Sequence, residues 1–226
     1  MARVILSEAD HALVTEAVAA AERSTSGEIV TIVAARSSSY ADIAWAWAAA
    51  IALFALACIA AWPALLTAWI DLIRGGWSEI EHHRDLLPWV LVAVCLKFLV
   101  ARLLLTWLPL RDLLTPARIK HRRVRDRAID LFRVAAEART AARTGVLIYV
   151  SLAEHRAEIV ADAGVHAAVP AERWGDAMAA LVDAIREGRP GEGLAAAVTA
   201  VGVILATVLP RGVDDRNELP DRLIEL

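Results

Sequence analysis

From Ile43 to Ile70 this chain carries no charged residue. That run exceeds the ~20 apolar residues needed to cross the hydrocarbon of a bilayer. It is built mainly of Ala and Leu, with Pro63 in its last third. Buried helices of water-soluble cores rarely stay uncharged for so long, so Ile43–Ile70 predicts a membrane span. A second apolar segment, Leu86–Leu110, holds Lys97 and Arg102 and still reads as a span. A charge at mid-span costs ~2.5–3.5 kcal/mol on insertion scales. Arg102 lies near one end and can reach the interface. Lys97 is more central, and reads as a snorkelling or partner-facing lysine in preference to part of an ion or lipid pathway.

Tryptophan follows the same plan. Every Trp except Trp174 falls between residues 45 and 107. Trp45 and Trp47 mark one end of the first span, Trp62 and Trp69 the other, and Trp89 and Trp107 bracket the second. Indole rings favour the headgroup interface. The step from Trp89 to Trp107 covers about 27 Å at 1.5 Å per residue, near the ~30 Å of hydrocarbon. The connection Asp71–Asp85 contains Gly75-Gly76 and His82-His83. Adjacent helical residues point about 100° apart, so the two imidazoles are poorly placed to share a metal, and the pair reads as a solvated loop end.

Orientation follows from basic residues. The connection holds Arg74 and Arg84, whereas Arg111, Arg118, Lys120, Arg122, Arg123, Arg125 and Arg127 follow the second span. The excess of positive charge places that stretch, and with it both termini, in the cytoplasm. Lys97, Arg102, Arg111, Arg118, Lys120, Arg122 and Arg123 are the expected lipid-facing cations. Without interleaved aromatic residues the cluster does not read as a nucleic-acid groove.

Composition agrees: 58% of residues are hydrophobic, against ~45–50% in soluble proteins. A net charge of −3 points to no strongly charged partner. Cys58 and Cys95 both lie in apolar segments and read as buried small hydrophobes. They suggest neither a disulfide framework nor a zinc site. Met1–Leu6 is followed at once by Glu8 and Asp10, so no signal peptide is expected at this end.

The remaining sequence predicts an α/β domain split by the hairpin. Ser7–Ser24 reads as a helix with Ser7 and Asp10 as a capping box and Leu13, Val14, Ala17, Val18 and Ala21 as its apolar stripe. Thr25-Ser26-Gly27 ends it, and Glu28–Val33 is a β-branched strand. A helix runs from Thr115-Pro116 to about Thr140. Strands at Val146–Ser151 and Arg156–Ala161 follow, with Leu152–His155 as their connector. Pro170 opens a helix to Glu187 with Trp174, Met178, Leu181, Val182 and Ile185 on one face. Gly193–Pro210 is uncharged and could be a third span, but its Ala and Gly content favours a helix buried on a sheet. The expected divisions are 1–42 plus 111–210 as the α/β domain, 43–110 as a transmembrane hairpin, and 211–226 as a polar tail. The fold class is α/β, a small sheet sandwiched by helices and interrupted by the hairpin.

Three stretches, Thr25–Val30, Thr144–Val150 and Glu158–Gly164, together with Ile185-Arg186-Glu187-Gly188 and Gly193-Leu194, resemble the TPM domain. With Asn217–Asp221, which reads Asn-Glu-Leu-Pro-Asp, the chain is similar to a bacterial membrane-bound branch of that family. The resemblance implies a compact α/β domain, and the spans with their charge bias place it at the bacterial inner membrane. It also implies either acid phosphatase chemistry with possible Ca²⁺ binding, or an accessory role in maintaining membrane complexes. The turn after the third strand departs from the family's glycine-rich acidic pattern. His166 stands about where a glutamate is usual, and the next acidic residue is Glu172.

Phosphoryl hydrolysis needs a nucleophile or metal-bound water and positive charge on the phosphate oxygens. The acids available are Glu28, Asp162, Glu154 and Glu158. Of these, Glu28 and Asp162 could converge at one sheet edge near His166, which makes these three the weak catalytic candidates and Asp162 and Glu28 the weak metal candidates. No phosphate loop, dinucleotide fingerprint or GxSxG elbow is present. Ser37-Ser38-Ser39 shows no neighbouring base in sequence. The leading expectation is a non-catalytic, membrane-anchored binding or accessory factor without a cofactor. Its partners would be membrane lipids and either another membrane protein or a second copy. A weak metal-dependent acid phosphatase is the alternative.

Overall fold

The computed structural model of the chain describes residues 6–74, 83–134, 144–212 and 222–226. The Gly75-Gly76 pair, His82 and the Asn217–Asp221 segment lie outside them. The chain divides into two compact units, Met1–Ser38 with Ala117–Leu226, and Ser39–Pro116.

The first unit is built on a four-stranded sheet in the order β3-β2-β1-β4, with β1 at Glu28–Ala34, β2 at Gly145–Ser151, β3 at Arg156–Ala161 and β4 at Ile224–Glu225. β1 runs parallel to β2 and to β4, and β3 returns antiparallel to β2. β1 and β2 are buried along their whole length, because helices cover both faces. Side chains alternate across the pleat. Ile29, Val33, Val146, Ile148 and Val150 therefore face α1 (Glu8–Glu22), α8 (Ala171–Arg186) and α9 (Pro190–Val208). Val30, Ile32, Ala34, Leu147 and Tyr149 face α6 (Ala117–Phe132) through Val124, Ala128 and Phe132. The expected α/β sandwich is the observed architecture.

Local chemistry explains the element ends. Ser7 Oγ accepts from Asp10 N at 3.1 Å and Asp10 Oδ2 accepts from Ser7 N at 3.1 Å, completing the capping box of α1. Thr25 Oγ1 accepts from Gly27 N at 3.0 Å and donates to Leu209 O at 2.7 Å, so the turn after α1 is tied to the end of α9. The β2–β3 turn closes with His155 in the left-handed region at φ 47°.

Two features differ from the sequence expectation, and a third is only partly described. The tail is not wholly irregular: its last residues form β4, where Leu226 N donates to Val33 O at 2.9 Å. A short helix, α7 (Ala163–Ala168), follows β3. The helix opened at Pro116 is helical over Ala117–Phe132, and its expected continuation to Thr140 falls mainly outside the described residues. The apolar segment Gly193–Pro210 forms most of α9. That helix is long and apolar enough to cross a membrane, yet 56% of its apolar window is buried inside the structure. Gly202 lets it approach α1 so closely that a Cβ there would lie 2.5 Å from Ala21 Cβ.

The second unit contains α2 (Ala41–Ala61), α3 (Pro63–Arg74), α4 (His83–Leu104) and α5 (Leu108–Leu114). The expected first span is two helices, because Pro63 has no N–H to continue the ladder and its ring collides with the preceding turn. The second ends at Leu104, before Pro109 opens α5. α2 and Leu86–Leu104 within α4 are each long and apolar enough to cross a membrane. α2 buries Ala44, Ala48, Ala52 and Ala55, a small-residue row that lets a neighbouring backbone approach, and α4 buries Ala93 and Ala101.

Candidate functional site

Of the acids singled out from sequence, Glu28 and Asp162 lie at one end of the sheet, either side of Gly145. Glu28 opposes Gly145 in the β1–β2 register. Gly145 N in turn donates to Asp162 Oδ2 at 2.9 Å. Glu28 and Asp162 are both buried, so central β2 begins between two carboxylate-bearing strand ends. His166, one turn into α7, is exposed, and its backbone N donates to Asp162 O at 2.9 Å. Asp162 thus closes the sheet end with a charge-assisted hydrogen bond. Ca²⁺ takes six to eight oxygen ligands. Among the described residues no three His, Cys, Asp or Glu side chains converge to hold a metal. One oxygen of Asp162 is already taken by backbone, so this donor set does not fit the ion.

The opposite end, where parallel β1 and β2 deliver their carboxyl termini, is where open α/β sheets bind ligands. There Glu154, only 9% exposed, accepts from Ser37 N at 3.3 Å and from Ser151 Oγ. Ser37 Oγ lies 2.9 Å from Tyr149 Oη, and Arg123 Nη1 donates to Ser38 Oγ at 2.8 Å. The serine loop does have an acid beside it, supplied by a residue more than a hundred positions away. Glu154 Oε1 is buried and has no hydrogen-bond partner.

Glu154 also lines a cavity of about 220 Å³ with His121, His155, Arg156, Glu158 and Arg186. His121 Nδ1 sits 3.2 Å from Glu158 Oε1. Burial pushes the Glu158 carboxyl above its ordinary pKa, against the pull of His121, Arg125 and Arg156. Burial likewise raises the Tyr149 phenol. Its hydrogen bond with Ser37 opposes the rise and the nearby Glu154 charge adds to it. This cavity can bind a small polar ligand through two carboxylates, two imidazoles and two guanidinium groups. Sequence reasoning missed it because the elements that build it, α6, the β2–β3 turn and α8, are far apart in the chain.

Of the expected lipid-facing cations, Arg102 stacks over the Trp45 ring, 4.8 Å from its centroid. Lys97 is exposed and lines an apolar groove of about 770 Å³ in the second unit. Arg111 is half-buried on α5. On α6, Arg118 is exposed, Lys120 half-buried, Arg122 pairs with Asp126 at 3.8 Å, and Arg123 reaches Ser38.

A family model for the TPM domain matches residues 113–204. The NMR structure of the BA42 protein from the psychrophilic bacterium Bizionia argentinensis is similar in fold. It shares 19% identity at a TM-score of 0.56, covering 100% of each chain. No curated protein matches the chain.

Proposed function

We propose, from the match of a TPM-domain family model to residues 113–204, that this chain is a membrane-anchored, non-catalytic binding or accessory factor for the assembly or maintenance of membrane proteins. In this reading α2 and α4 form a hairpin across the bacterial inner membrane. The basic run after it, and the α/β domain, lie on the cytoplasmic side. The observation that carries the proposal is the commitment of Asp162: its carboxylate holds Gly145 N in the sheet, which leaves it poorly placed to carry a reaction. The exposed apolar side chains of α2 and α4, among them Leu53, Phe54, Leu91 and Leu99, supply surface for lipid and for a partner's helices.

A second reading, a weak metal-dependent acid phosphatase, draws on the cavity where His121, Glu158 and Arg186 meet. One assay separates the two. Full-length protein in detergent is tested on an aryl phosphate from acidic to neutral pH with Ca²⁺, Mg²⁺ or chelator. Asp162→Ala, Glu28→Ala and Glu158→Gln are tested beside it. No turnover is expected. Turnover that copurifies with the protein and disappears in one of these variants replaces the accessory reading with the hydrolytic one and locates its site.

A further inference from the structure

We propose that the groove beside α4 is a binding site for one anionic membrane lipid, with an acyl chain along its apolar wall and an acidic headgroup neutralising Lys97. The inference rests on the reading that α2 and α4 cross a membrane.

The groove belongs to the second unit alone. Its wall runs from Leu65 and Trp69 of α3 to Leu110 and Leu114 of α5, past Phe54 of α2 and Val100 of α4. Its volume of about 770 Å³ lies within the ~300–1,000 Å³ of small-molecule sites. Along α4 it extends from Ala93 to Leu104, about 16 Å at 1.5 Å rise per residue. That is half of the ~30 Å hydrocarbon thickness, the depth of one leaflet and so of one acyl chain. A spanning helix would need the whole thickness.

Charge selects the kind of lipid. Lys97 is the one charged residue of the described groove wall, and no acid lines it. Arg102, five residues on, lies over the Trp45 ring, although its buried Nε has no hydrogen-bond partner, and Lys97 has no hydrogen-bond or ion-pair partner among the described residues. α5, which forms one end of the groove, carries Arg111, whose buried Nε has no hydrogen-bond partner. A desolvated ammonium without a counter-charge is costly in hydrocarbon. A phosphate or carboxylate headgroup supplies the missing charge, and a zwitterionic headgroup brings its own cation. A second copy of the chain seated in the groove would bring a second ammonium and no groove acid.

The test uses full-length protein reconstituted in nanodiscs of mixed phosphatidylglycerol and phosphatidylcholine, then native mass spectrometry of the lipids that stay bound. Wild type should retain phosphatidylglycerol over phosphatidylcholine by fivefold or more. Lys97→Met should bring the two near parity, and Val100→Trp, which fills the groove, should lower retention of both. Arg173→Gln, at an exposed position of α8, should leave the preference unchanged. A preference that survives Lys97→Met overturns the proposal. So does a photocrosslink from Leu96→p-benzoylphenylalanine that captures a protein chain in place of lipid. Extraction of wild type from membranes by alkaline carbonate would sink the membrane reading itself. A carbonate-resistant protein with no anionic preference would sink only the lipid site.

Discussion

Tyr149 Oη and Ser37 Oγ lie 2.9 Å apart, joining β2 to the loop that leaves β1. Burial raises the Tyr149 pKa above its ordinary 10.0. A raised folded-state pKa means that the neutral phenol stabilises the fold fully below 10.0 and that this contribution is lost as pH climbs through the folded value. Ultraviolet titration should therefore show late phenol ionisation that diminishes in Tyr149→Phe. Removing the hydroxyl should cost about 0.5–1.5 kcal/mol near neutral pH. A Tyr149 that ionises with an ordinary midpoint would contradict its burial.

Glu154 holds the same corner from the β2–β3 turn. Its carboxylate accepts from Ser37 N and Ser151 Oγ, so Glu154→Ala leaves a half-buried and a buried donor without an acceptor. The expected loss is about 1–3 kcal/mol per orphaned group at most, read as a lower thermal midpoint of the detergent-solubilised chain. Glu154→Gln, which keeps one acceptor oxygen, should lose less. Equal losses would mean that shape, not the acceptor, matters here.

Glu158 should give the domain an acid-side signature. Its folded pKa is raised from 4.5 chiefly by burial. Its contribution is thus complete below 4.5 and is lost as pH rises through the folded value. Wild type should become less stable relative to Glu158→Gln over that climb. Denaturation midpoints of both proteins across the carboxylate range would check this. A constant difference would show that Glu158 titrates alike in folded and unfolded chains.

Asp162→Ala should be destabilising whether or not the protein turns over any substrate. The substitution strands Gly145 N at the start of the central strand, a buried donor costing about 1–3 kcal/mol. Asp162→Asn retains an acceptor and should recover part of that. A fully stable Asp162→Ala protein would remove the structural role assigned to this residue.

Gly202 offers a test of the α1–α9 packing. A Cβ there would meet Ala21 Cβ at 2.5 Å, so Gly202→Ala should cost about 1–3 kcal/mol through overpacking. Adding Ala21→Gly should restore most of the loss. No rescue in the double variant would mean that the two helices are held apart by something else.

The apolar runs, the Trp positions and the β-branched strands were legible from sequence because each depends on neighbours along the chain. Ile43–Ile70 needs only length and lack of charge to announce apolar helix, and Glu28–Val33 needs only β-branching and its bounding turn. The break at Pro63 is equally local, and counting charges alone passed over it. What the sequence did not reveal joins distant segments. Ile224–Glu225 becomes a strand only because β1 offers it an open edge. Glu154 becomes a buried anchor only because parallel pairing of β1 with β2 brings Ser37 beside it. Helix α9 is apolar enough to span a membrane, and its Ala and Gly content already favoured burial, but hydropathy records the wish to leave water and not the destination. Packing against α1, α8 and the sheet supplied that destination. Periodicity and hydropathy therefore determined which segments are helix or strand and which faces are apolar. Register and close packing, which depend on the whole chain at once, decided which polar groups share a corner and which apolar helix is buried within the α/β unit.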